Sequence, residues 1–257
     1  MDRMDGKAYY SHIEVMFEMV KCMRGKEVCF LSKDYKFRNI KAHNIAFLFS
    51  NMRAFSFDQR EYNIYISCMD FFDMPAFSFN SEVRREQSTD FIKNFKNYSS
   101  GFDLFIDIEG GENFLEEAKK LKALFDGYKV PYYVKNSGNG FHFVIPSIYF
   151  KSYLPNHLER KDVFSRFATT VKKLLDLKLL DTTVYDNRRV YKCPYSFDFN
   201  TGRVCLPLSD EEFNNFSFEM VTPEAVLHFG VKNRGLLLRN ENGSKNIEKM
   251  FKEILHG

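Results

Sequence analysis

The chain has 257 residues, of which 44% are hydrophobic and 28% charged, an ordinary balance for a globular protein able to bury a large core. Its net charge is only +3: residues 1–150 carry 20 basic and 20 acidic side chains and residues 151–257 carry 17 and 14, which excludes a uniformly basic nucleic-acid binder and leaves room only for a local patch. The five cysteines (22, 29, 68, 193 and 205) form no C-x-x-C pair, no apolar run reaches membrane-spanning length, and charges stand where a signal peptide needs its apolar segment; the expectation is reduced thiols, no membrane, and a cytoplasmic or nucleoid-associated protein that is not secreted.

In chain order, residues 7–23 have helical spacing, with Tyr10, Ile13, Phe17 and Val20 on one stripe. Residues 27–31 and 61–68 read as strands, and residues 41–52 between them as a helix. Residues 74–100 are mixed in polarity and read as irregular with one short helix. In the stretch 103–111, Phe105, Asp107 and Glu109 share one strand face by the period of two, while Leu104, Ile106 and Ile108 line the other. Two acids in succession on one face repel each other. Either the face is a solvated edge, or a hard divalent cation lies between the carboxylates.

Residues 112–125 form a helical pattern with Leu115, Ala118, Leu121 and Phe125 inward and Gly127 placed to end it. Residues 130–144 read as strand, loop, strand, with the loop Lys135-Asn136-Ser137-Gly138-Asn139-Gly140-Phe141-His142. Its glycines would let backbone N–H groups crowd an anion, with Ser137 and His142 adding donors; the competing reading is an ordinary hairpin turn and a structural histidine. Residues 162–178 form a second long helix that would carry the chain across the sheet and return Asp181 to the first two acids. Asp181 is followed by Arg188, Arg189, Lys192 and Pro194-Tyr195-Ser196, a carboxylate near a basic cluster such as a metal-bound triphosphate needs.

The order acid-x-acid, Ser-Gly-x-Gly-x-His, then Asp followed by Arg, Lys and Pro-x-Ser resembles the archaeo-eukaryotic primase superfamily, in particular its small catalytic subunits. Tyr9-Tyr10, Glu27-Val28-Cys29-Phe30, Phe37-Arg38 and Tyr65-Ile66-Ser67 extend the likeness toward the N-terminus. The resemblance implies an α/β catalytic core, a mixed sheet with an RNA-recognition-like β-α-β unit and an N-terminal α/β extension. It implies one catalytic domain over residues 1–257, in which residues 1–100 make the N-terminal α/β portion, residues 101–205 carry the motifs and residues 206–257 form a tail packed on them. The activity implied is that of a DNA primase or primase-polymerase making short primers from NTPs or dNTPs; the alternatives are a gap-filling or end-joining repair polymerase and a non-catalytic single-strand-binding relative.

By the same resemblance Asp107, Glu109 and Asp181 would hold two Mg²⁺ or Mn²⁺ ions. Ser137, Gly138, Asn139, Gly140, His142, Arg188, Arg189 and Lys192 would hold the nucleotide. The partners implied are a single-stranded DNA template and a primase large subunit or replicative helicase. Three departures stand out. The second acid is Glu109 rather than Asp, Asp198 stands where the family often has His, and no cysteine lies between His142 and Asp181, so no structural zinc is expected.

Overall fold

The structure, a computed structural model, describes residues 4–42, 44–54, 61–75, 77–78, 81–231 and 242–256. The chain opens with α1 (Gly6–Tyr10), capped by the Asp5 carboxylate on the Ala8 N–H at 2.8 Å, and restarts as α2 (Ile13–Met23). The sequence pattern suggests one continuous helix here. The break at Ser11-His12 resets the helical phase, so Val15, Met16, Met19, Val20 and Met23 are buried while Ile13 and Phe17 are each 54% exposed.

Strands β1 (Lys26–Leu31) and β2 (Lys36–Ile40), helix α3 (Ile45–Ala54) and β3 (Asn63–Phe71) follow. Buried Glu27 joins β1 to β2: its carboxylate takes both Nε and Nη2 of Arg38, at 2.9 and 3.0 Å, and the Asn39 N–H at 3.0 Å. Helix α4 (Ser81–Asn94) is longer than its polar sequence suggests, because it lacks an apolar stripe and is anchored instead by buried Phe91 and by Arg84 on the Arg38 and Asn39 carbonyls. Strand β4 (Ser99–Phe102) leads to β5 (Leu104–Ile108), α5 (Phe114–Tyr128), β6 (Tyr133–Asn136), β7 (Phe141–Ile145), α6 (Arg160–Leu174) and β8 (Leu180–Asp181). Helix α5 runs through Gly127 and stops after Tyr128, where Lys129 takes a left-handed φ of 53°. The short strands β9 (Val190–Lys192), β10 (Phe197–Asp198), β11 (Arg203–Val204) and β12 (Pro207–Leu208) precede α7 (Asp210–Asn214), α8 (Pro223–Phe229) and α9 (Gly243–His256).

These elements sort into two units, each made of separated segments: residues 1–100, 190–206 and 216–233 in the first, and residues 101–189, 207–215 and 234–257 in the second. The first unit is organised on a sheet of order β2-β1-β3-β4, with β9 also paired antiparallel to β3. The second has the order β12-β6-β7-β5-β8, every neighbouring pair antiparallel.

In that second sheet β5 and β6 run parallel with β7 between them, and β7 and β8 run parallel with β5 between them. The segments β5-α5-β6 and β7-α6-β8 are thus two interleaved split β-α-β units, the RNA-recognition-like core that the resemblance implied. One face of this sheet is apolar. Phe114 and Phe125 of α5 pack on Phe141 and Phe143, and Phe251 of α9 stacks on Phe167 of α6 with ring centroids 4.1 Å apart. Each of these rings that is fully buried, all but Phe114, contributes about 1.5–3 kcal/mol. Among the described residues, no helix is long and apolar enough to cross a membrane.

Candidate functional site

The opposite face of the second unit's sheet carries four ionisable side chains in one line across four strands. Lys135 on β6 pairs with His142 on β7, His142 with Asp107 on β5, and Asp107 with Asp181 on β8. Residues directly opposite on adjacent strands point to the same face, about 4.5–5.5 Å apart at Cβ. Asp107 therefore lies between His142 and Asp181, with His142 Nε2 3.6 Å from Asp107 Oδ1 and Lys135 Nζ 2.6 Å from His142 Nδ1. The His142 ring meets Phe105 edge-on at 4.7 Å, and Lys135 is fully buried.

Asp181 reaches this line because α5 guides the approach to β8. The buried Glu117 carboxylate accepts the N–H groups of Lys178 and Leu179, each at 2.9 Å, and Lys172 of α6 donates to the Leu180 carbonyl at 2.7 Å. The sequence marks Glu117 only as an acid in the first turn of a helix. Asp181 Oδ1 accepts both the N–H and the hydroxyl of Thr183, at 2.7 and 2.8 Å, which fixes the carboxylate. Glu109 lies one residue beyond the end of β5; its N–H donates to the Leu179 carbonyl at 2.9 Å and its side chain is exposed.

The hairpin loop presses on that strand end. A Cβ on residue 140 would stand 2.1 Å from the Ile108 carbonyl oxygen, and one on residue 110 would stand 2.6 Å from the Asn139 carbonyl oxygen. Glycine at these two positions lets Ser137-Gly138-Asn139-Gly140 lie directly against residues 108–110. Inside the loop the Ser137 N–H donates to the Gly140 carbonyl at 2.9 Å, and the Gly138 N–H to Asn136 Oδ1 at 2.9 Å. Those two amides are engaged by the loop itself, so the glycines serve close approach where the sequence suggested an anion cradle of N–H groups. Buried Asn136, which also donates to the Gly140 carbonyl at 3.2 Å, is the brace.

The basic residues have defined partners. Arg189 donates through Nε to the Val184 carbonyl at 2.9 Å and through Nη2 to the Thr183 carbonyl at 3.0 Å, closing the loop that follows Asp181. Arg188 is half-buried, and its N–H donates to Asp186 Oδ1 at 2.9 Å. In the first unit, Lys192 Nζ donates at 2.6 Å to Oδ2 of Asp198, which is 2% exposed and also accepts the Thr201 hydroxyl. Asp198, the residue standing at the family's frequent His position, thus engages Lys192. The nearby Pro-x-Ser turn is held by the paired tyrosines: Tyr9 donates its hydroxyl to the Tyr195 carbonyl at 3.1 Å, and Tyr10 accepts the Phe197 N–H at 2.9 Å. Burial raises both phenol pKa values, so both remain protonated.

Among the described residues, no group of three or more His, Cys, Asp or Glu side chains is arranged to hold a metal ion. Asp107 and Asp181 are two such side chains, facing each other across β5 and β8. Two carboxylates directly opposed on neighbouring strands destabilise a sheet unless a cation lies between them. Sequence reasoning missed Lys135 and Asn136. The hairpin symmetry that pairs 136 with 141 and 135 with 142 was the signal that could have found them.

The strand order and the two split β-α-β units give this chain an α/β fold shared with a known polymerase domain. Among solved structures, the polymerase domain of Mycobacterium tuberculosis ligase D, in complex with DNA, matches at a TM-score of 0.59 and 13% identity over 91% of this chain and 90% of that one. The AEP domain of the cyanophage S-2L primase-polymerase matches at a TM-score of 0.42 and 11% identity over 87% and 97%. No family model and no curated protein matches the sequence.

Proposed function

We propose that the chain is a DNA-templated nucleotidyltransferase, a primase or primase-polymerase that joins NTPs or dNTPs on a single-stranded template. The observation that carries this reading is the line Lys135, His142, Asp107, Asp181 on the sheet face opposite the helices, in a fold shared with a polymerase domain. Asp107 and Asp181 are the main carboxylate donors for Mg²⁺ or Mn²⁺, with Glu109 at the strand end as the third. When bound, the ions supply charge neutralisation at the attacking 3′-hydroxyl and the leaving pyrophosphate.

The chain's own residues do the rest. His142 and Ser137 donate to the triphosphate oxygens, and the loop 137–140 shapes the wall beside Glu109. Arg189 holds the segment after Asp181 through the Thr183 and Val184 carbonyls, keeping that carboxylate in line. Arg188 and Arg189 are the remaining phosphate contacts of the second unit by resemblance, while Lys192, in the first unit, is held by Asp198.

The test is incubation of the purified chain with single-stranded DNA, labelled NTPs or dNTPs, and Mn²⁺ or Mg²⁺. New oligonucleotides formed without a primer support the primase reading. A second reading, a gap-filling or end-joining repair polymerase, is favoured by the fold match to the ligase D polymerase domain. It expects extension of pre-formed 3′ ends and filling of short gaps, with no synthesis on unprimed template. Absence of both products sinks the enzymatic proposal. A large subunit or helicase partner belongs to the primase reading and is tested by whether its addition lengthens or initiates products.

A further inference from the structure

Resting on the reading of His142 as a phosphate donor, we propose that Lys135 is a positioning residue that holds the His142 imidazole in the tautomer with its proton on Nε2. Lys135 is fully buried, and its Nζ lies 2.6 Å from His142 Nδ1 in a register where the two residues are strand partners. As an ammonium, with three donors and no acceptor, Lys135 makes this contact a hydrogen bond only if Nδ1 accepts; a neutral amine would instead accept from Nδ1 and leave the ring proton there. With the ammonium, the ring proton belongs to Nε2, the nitrogen that faces Asp107 Oδ1 at 3.6 Å.

Edge-on packing against Phe105 at 4.7 Å and 85° restrains the ring from turning over. A phosphate oxygen arriving beside Asp107 therefore meets a donor; the other tautomer would present a lone pair and repel it. A hydrogen bond to one ring nitrogen commonly sets what the other can do. A lysine with no exposed surface is rare, because its charge must be taken out of water. An apolar side chain would fill the same space beside His142, so packing alone gives no reason for an ammonium there.

The test uses the whole chain labelled with ¹⁵N-histidine at about pH 8, where a neutral imidazole is the reference. Long-range ¹H–¹⁵N spectra separate protonated from unprotonated ring nitrogens, and the His142 signals are those lost in His142→Gln. In the wild type, Nε2 should be protonated and Nδ1 bare. In Lys135→Met the tautomers should mix, and kcat/KM for the nucleotide should fall about 10–100-fold, mainly through KM, as for loss of an orienting partner. Lys135→Arg, which keeps a donor, should recover the Nε2–H form.

A wild-type His142 with its proton on Nδ1 overturns the proposal, whether or not the variants fold. So does a folded Lys135→Met that keeps the Nε2–H form, or that keeps the wild-type nucleotide KM. A wild-type chain with no polymerase activity would instead remove the functional reading, and the tautomer would still be read from the spectrum.

Discussion

Asp107 has an imidazole on one side and a carboxylate on the other, so replacing it removes the middle member of the line. Asp107→Asn keeps volume and removes charge, and it should lower synthesis by at least about 100-fold, beyond the 10–100-fold typical of groups that only orient a metal ligand. Circular dichroism and Tm should stay near wild type; near-normal synthesis would end the metal assignment. His142→Ala should raise the nucleotide KM and lower kcat/KM by about one to two orders of magnitude, since a charge-assisted hydrogen bond contributes roughly 1.5–3 kcal/mol. A destabilised variant with unchanged KM would make His142 structural. Asp198→Asn breaks the buried pair with Lys192 and should cost about 3 kcal/mol or more. For a protein of this size that lowers Tm by roughly 6–12 °C, and a thermal melt within about 2 °C of wild type would contradict it.

At the level of elements, the acid strand, both long helices and the glycine hairpin are legible in the sequence, because each carries a period or turn signal strong enough to read locally. The paired registers are not. Nothing in the sequence around Glu117 shows that its carboxylate accepts the N–H groups of residues 178 and 179, because those contacts close 61 and 62 residues away. Helix α4 reads short for want of an apolar stripe, and the break before Ile13 is invisible because residues 7–23 are helix-like on both sides of it. The loop glycines stand out in the sequence, yet their role is partly different: contact with the strand end more than an array of free amides. Two substitutions separate these roles. Gly140→Ala drives a Cβ into the Ile108 carbonyl and should destabilise by about 1–3 kcal/mol, with a displaced loop and reduced synthesis. Gly127→Ala meets no atom within 4 Å inside α5 and should raise stability by about 0.5–1 kcal/mol with activity unchanged. Melting curves and activities of the two proteins, measured side by side, check both.

Across the whole molecule, charge is too balanced for non-specific attraction to DNA, with 37 basic against 34 acidic side chains. Binding to single-stranded DNA should therefore involve few phosphates, and log K against log salt should have a shallow slope, about −0.7 for each phosphate contacted. A slope steeper than about −5, measured by fluorescence anisotropy, would show a basic surface larger than the composition allows. Deleting residues 242–257 removes α9 and uncovers Phe150, Phe164 and Phe167, against which Phe251 packs. That variant should bind a hydrophobic dye and lose its cooperative melt. Helix α9 and strand β12 both come late in the chain, yet they complete a unit that begins at residue 101; likewise the first unit waits for residues 190–206 and 216–233. On the ribosome, neither unit can close while its own N-terminal half emerges, and both must wait for these late segments to be made. Nascent chains arrested before about residue 240 should therefore remain sensitive to protease across both units, a vulnerability that a chain of consecutive, self-completing domains does not have.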